Sequence, residues 1–80
     1  MATRPSETIE KIMEEIASQM HPLVLRTDPN FKRWTGVSGR RMANLDYLGL
    51  GPKERVLLGR QIAYTRAALL EWIAARLRTA

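Results

Sequence analysis

Two glycines and a proline fall within four residues at Gly49-Leu50-Gly51-Pro52, and no helix runs through such a stretch. The break ends the helical pattern before it and divides the chain of 80 residues into elements that share one small core. A chain of this length buries only about 60% of its unfolded surface, so each element has to contribute to that core.

Ahead of the break, Ile9, Ile12, Met13, Ile16 and Met20 repeat at helical spacing. Ser6 stands where a cap belongs, Glu7 and Glu10 suit the positive end of the dipole, and Pro22 stops the pattern. The spacing predicts a helix over about 7–20. Leu23-Val24-Leu25-Arg26 has strand character. Asp28-Pro29 reads as a cap followed by a proline at the first helical position, which opens a short helix to Thr35. Gly36-Val37-Ser38 is a tight turn, with Ser38 as the cap of a helix over about 39–48. The expected buried edge of that helix is Met42, Leu45 and Leu48.

Beyond the break, Arg55-Val56-Leu57-Leu58 and Gln61-Ile62-Ala63-Tyr64 flank Gly59-Arg60, the pattern of a hairpin with glycine first in a type II′ turn. Thr65 caps a last helix over about 66–78, whose apolar face carries Leu69, Leu70, Trp72, Ile73 and Leu77. The expected fold class is mainly α with a small β-hairpin wing. It is a winged helix-turn-helix over residues 23–80, preceded by an amphipathic helix within residues 1–22.

Charge is unevenly spread. Residues 1–20 set Arg4 and Lys11 against Glu7, Glu10, Glu14 and Glu15, a net −2. Residues 21–80 set eleven Lys and Arg against four acids, a net +7. A basic body is the footprint of a polyanion binder, or simply of a soluble basic surface. With no cysteine there is neither disulfide nor thiolate zinc site, and His21 has no second histidine beside it. No metal cluster, phosphate loop or nucleophile–base pair is legible, so neither enzymatic activity nor a cofactor is expected. No apolar run approaches the ~20 residues of a membrane span, and the N-terminus lacks a signal peptide's apolar block. A soluble cytoplasmic protein is expected.

In the order turn, helix, hairpin, helix, the helix after Ser38 occupies the place of a reader of the major groove. Arg40, Arg41 and Asn44 lie near its start, where side chains reach base edges; arginine suits guanine and asparagine suits adenine. Amides beside Ser38 suit a phosphate, and Gly39 permits close backbone approach. Tyr47 either packs on the domain or touches a phosphate. Arg60, beside Gly59 at the hairpin tip, suits a narrow minor groove, with Lys53, Arg55 and Arg66 on phosphates. Trp34 and Trp72 read as core. The stripe of Ile9, Ile12, Met13, Ile16 and Met20 has two readings: packing within the chain, or an oligomer or partner surface.

Gly36-Val37-Ser38, Arg40-Arg41, Gly49-Leu50-Gly51-Pro52, Leu58-Gly59-Arg60, Tyr64, Leu69 and Trp72 together resemble the excisionase or AlpA-type proteins of the MerR-like winged-helix superfamily. The resemblance covers residues 36–78. It implies a recombination directionality factor that binds repeated double-stranded DNA sites, bends them, and helps a tyrosine integrase excise a mobile element. A transcriptional regulator of the same fold is the alternative, and an adaptor acting through the N-terminal helix is another. The resemblance places Arg40, Arg41 and Asn44 toward the groove, Arg60 at the wing tip, and Met42, Leu45, Tyr64 and Trp72 in the core. Two features depart from the family pattern. Phe31-Lys32-Arg33-Trp34 is aromatic where small apolar residues are usual, and the acidic first helix is an addition whose charge suits self-association with a neighbour's basic body on DNA.

Overall fold

A computed structural model describes residues 5–78, with side chains from Glu7 onward. Its elements in chain order are α1 (Pro5–Gln19), β1 (Leu23–Leu25), α2 (Phe31–Thr35), α3 (Gly39–Tyr47), β2 (Arg55–Leu58), β3 (Gln61–Thr65) and α4 (Arg66–Arg76). The architecture is thus four helices with one three-stranded antiparallel sheet, ordered β1-β3-β2. No described helix is long and apolar enough to cross a membrane.

The hairpin forms in the register its turn dictates. Leu58 opposes Gln61, which leaves Gly59 and Arg60 as a two-residue loop. Gly59 takes φ +64° while Arg60 does not enter the left-handed region, the combination a type II′ turn requires. β1 then adds to the far side of β3, with Val24 opposite Tyr64. This makes β3 the central strand, and its Ala63 and Tyr64 are fully buried.

One cluster forms the core: Met20, Val24, Phe31, Trp34, Met42, Leu45, Tyr64, Leu69, Trp72 and Ile73. The boundary at residue 22 therefore separates elements, not cores, because Met20 packs among residues of the C-terminal body. The two indoles show how a small core satisfies its polar edges. Trp34 Nε1 donates to Gln19 Oε1 at 3.2 Å, joining α2 to α1. Trp72 Nε1 donates to the Leu50 carbonyl at 2.9 Å, holding the Gly49–Pro52 loop against α4.

Several local expectations need correction. The short helix begins at Phe31, and its cap position is Asn30, which makes no side-chain cap bond. Asp28 Oδ1 instead accepts from the Asn30 amide at 2.8 Å, closing an Asx turn one step ahead of the helix. An Asp side chain offers the backbone this alternative to helix, and here it wins. α1 begins at Pro5, so Ser6 lies inside the helix, and its predicted capping side chain falls outside the described residues. α4 stops at Arg76, with Leu77 extended, two residues short of the expected end.

Leu48 is 65% exposed rather than buried. The buried face of α3 consists of Met42, Leu45 and Asp46, and the charged residue has taken an interior place. Its carboxylate is the acceptor of a closed polar cluster. Asp46 Oδ2 receives the Tyr64 hydroxyl and the Arg26 Nη2 group, and Arg26 Nε donates to the Tyr64 oxygen at 2.7 Å. No buried side-chain nitrogen or oxygen among the described residues lacks a partner.

The cluster sets both ionisable partners away from their ordinary values. Burial pushes the Tyr64 hydroxyl up to about 12, with the hydrogen bond to Asp46 adding to it and Arg26 opposing it. Burial alone would lower the Arg26 pKa; its bonds to Tyr64 and Asp46 outweigh that and raise it. The fold thus holds Tyr64 as the neutral phenol. That contribution to stability is complete below the unfolded value of about 10 and is lost as pH rises toward the folded value. Chemical denaturation between pH 9 and pH 12 is expected to show this loss, and Tyr64→Phe to flatten it relative to wild type. Asp46→Ala strands a buried hydroxyl and a guanidinium, and should cost about 3 kcal/mol in urea unfolding at neutral pH.

Candidate functional site

α3 is placed by three local features. Ser38 Oγ accepts the Arg41 amide at 3.1 Å, so the serine caps the helix as expected. Gly36, with φ +78°, ends α2 and turns the chain into that cap. Gly39 then lies against β1's continuation: a Cβ there would come within 2.5 Å of the Arg26 carbonyl oxygen. The missing side chain serves close packing of the chain on itself. The close backbone approach expected at Gly39 is made here to the chain's own Arg26 carbonyl.

The outer face of α3 has a simple charge pattern. Arg40, Asn44 and Tyr47 stand at i, i+4 and i+7, and Arg41 is one step around the helix. All four are exposed, Tyr47 at 90%. The only acid in the helix is Asp46, whose side chain is 2% exposed and committed to Arg26. Among the described residues, Arg40 and Arg41 have no salt-bridge partner. The helix therefore turns its single negative charge inward and leaves two arginines and a phenol outward.

The hairpin presents Arg60 at an exposed tip, again without an ion pair among the described residues. The other predicted cations are tied back to the chain. Lys53 Nζ lies 3.1 Å from Glu71 Oε1 on the surface of α4. Arg55 Nη1 lies 4.0 Å from Asp46 Oδ2, so the base of the hairpin leans on the polar cluster under α3. Arg66 Nη1 reaches the Met20 carbonyl at 3.4 Å, and its amide bonds to the Pro22 carbonyl at 2.9 Å. Of the six predicted cations, the side chains of Arg40, Arg41 and Arg60 thus make no ion pair or hydrogen bond among the described residues, while Lys53 and Arg55 face acids and Arg66 holds a backbone carbonyl.

The α1 stripe divides. Met20 is in the core, Met13 and Ile16 pack against it, and Ile9 is half-buried. Ile12 is 39% exposed at the mouth of a groove shared with Trp34, Ile73 and Leu77. No group of three or more potential metal ligands occurs among the described residues.

Two features of the site escape a linear reading. Asp46 looks like an ordinary surface acid, yet it sits four residues after Met42 and one after Leu45, on the apolar face of α3. That position is the available signal, and it needs a partner from distant sequence to be interpreted. The second feature is the exposure of β2, whose four residues all face solvent.

Compared with known proteins, the chain matches no family, no curated protein and no solved structure.

Gly39→Ala tests how α3 is seated. The added methyl must displace the Arg26 backbone, and a loss of about 1–3 kcal/mol is expected in urea unfolding. Ser38→Gly, which removes the cap but adds no bulk, should cost only a few tenths. Comparable losses for the two would mean that α3 does not depend on the close approach at Gly39.

Proposed function

We propose that this chain is a sequence-specific double-stranded DNA-binding protein that acts as a winged helix-turn-helix. α2 and α3 form the helix pair, α3 reads the major groove, and the β2–β3 hairpin is the wing. The observation that carries this reading is the one-sided charge of α3: Arg40 and Arg41 outward and unpaired, the sole acid buried. Opposite charges one turn apart stabilise a solvent-facing helix, and α3 offers its exposed arginines none. A polyanion supplies the missing negative charge.

In this reading Arg40, Arg41 and Asn44 meet base edges, and the first α3 amides meet phosphate. Arg60 enters the minor groove beside the site. Lys53, Arg55 and Arg66 already have partners within the chain, so their contribution is secondary. The role needs no catalytic step and no cofactor. Within DNA-binding proteins, an excisionase-type factor is the preferred assignment: binding to repeated sites, bending them, and promoting excision by a tyrosine integrase. This finer assignment rests on the resemblance of residues 36–78 to that group. Packing of Met13, Ile16 and Met20 inside the chain argues against an adaptor that works through the α1 stripe.

Selection from a random duplex pool, followed by anisotropy titration, tests the reading. Arg40→Ala is expected to lose about 1–3 kcal/mol on the selected site and to relax preference at one base position. Arg60→Ala should weaken binding and lower the salt slope by roughly 0.9 if it neutralises one phosphate. A double variant, Arg40→Ala with Arg41→Ala, that binds the selected duplex as wild type does would overturn the proposal. Excision of a marked element by its integrase, with and without the chain, tests the narrower assignment.

A further inference from the structure

β2 is an outer strand of the sheet, and no described strand pairs with its open side. Natural edge strands are usually blunted by a bulge, a proline or an exposed charge. Here the strand is Arg55-Val56-Leu57-Leu58, and its one charge stands at the first position, 4.0 Å from Asp46, which leaves the three residues after it uncharged. Val56, Leu57 and Leu58 are 37%, 69% and 53% exposed, so three successive aliphatic residues meet solvent. The core explains none of this exposure.

The hairpin sets which backbone groups are open. In a two-residue loop the closing pair, here Leu58 and Gln61, directs its amide and carbonyl groups at each other. Two residues back, Val56 does the same toward Ala63. Arg55 and Leu57 therefore turn their amides and carbonyls to the open edge. An antiparallel partner strand of identical sequence must match open residues with open residues, so only registers related by two-residue steps are permitted.

We infer that β2 is a self-complementary edge through which two copies of this chain pair antiparallel about a two-fold axis at Leu57. In that register Leu57 faces Leu57 and exchanges both backbone hydrogen bonds with it. Val56 faces Leu58 on the opposite side of the sheet. At each end, Glu54 of one copy comes beside the Gly59–Arg60 turn of the other. Glu54 and Arg60 have no ion pair within the chain among the described residues, so each is available. Centring instead on Val56 sets Glu54 against Leu58, and centring on Leu58 sets Arg60 against Val56. Only the Leu57 register joins aliphatic to aliphatic and acid to base at once. Two three-stranded sheets then become one of six strands.

The contact is small, so the dimer is of the weak, concentration-dependent kind. It does not depend on the DNA reading. Should both hold, Arg60 has two alternative uses, and self-pairing competes with insertion of the wing.

Sedimentation equilibrium of the full chain without DNA, from about 10 μM to about 1 mM, tests the inference. A monomer–dimer equilibrium is expected. Leu57→Glu, at a position exposed enough to leave the fold intact by circular dichroism, should weaken it by about tenfold or more. Glu54→Arg and Arg60→Glu should each weaken it, and combining the two should restore it. Amide exchange should slow at Leu57 with rising concentration and stay unchanged at Val56. A chain that is monomeric throughout would overturn the inference. So would a dimer indifferent to Leu57→Glu, or a charge-reversed pair that fails to recover. A monomeric chain that loses duplex binding through Leu57→Glu would assign the exposed strand to DNA instead.

Discussion

The rest of the structure depends on the buried carboxylate of Asp46. It receives Tyr64 from the central strand and Arg26 from the residue that follows β1, while sitting on α3 itself. One side chain thus binds together the three parts of the chain that bear on the site. A buried ion pair adds little net stability, because desolvation offsets most of its attraction, but losing one member leaves a charge stranded. Its importance lies in geometry. Any rotation of α3 that brought Leu48 inward would pull Asp46 away from both donors.

That constraint has an electrostatic consequence at the surface. By drawing in the only acid of α3, the cluster leaves Arg40 and Arg41 without a counter-charge on their own helix. Arg55, at the base of the hairpin, is attracted toward the same carboxylate. Interior and exterior are therefore coupled: the bond that orients the helix also strips its outer face of negative charge. The glycines at 39 and 51 belong to this arrangement, because side chains there would meet the Arg26 carbonyl and the Asp46 carboxylate respectively.

Much of the fold was legible residue by residue. Ser38 and Thr65 cap their helices, Gly36 ends α2, and Gly59-Arg60 closes the hairpin, because caps and tight turns are decided by neighbours in sequence. The arginines of the candidate site are exposed as the helical spacing indicates. Asp28 misled because an Asx turn and a helix cap use the same oxygen and differ only in where the following residues go. Leu48 misled because periodicity reports which residues are apolar, and takes no account of a carboxylate with two donors waiting inside.

By itself the sequence determined the order of the elements, their local start and stop signals, and a basic body joined to an acidic first helix. Only the tertiary structure decided that β1 completes a sheet with the hairpin, that Asp46 is interior, and which cations remain free. It also decided that α1 spends most of its apolar stripe on the core while β2 keeps its own in solvent. The physical reason is distance along the chain. Arg26, Asp46 and Tyr64 are about twenty residues apart in succession, and a charge is buried only where all its partners arrive together.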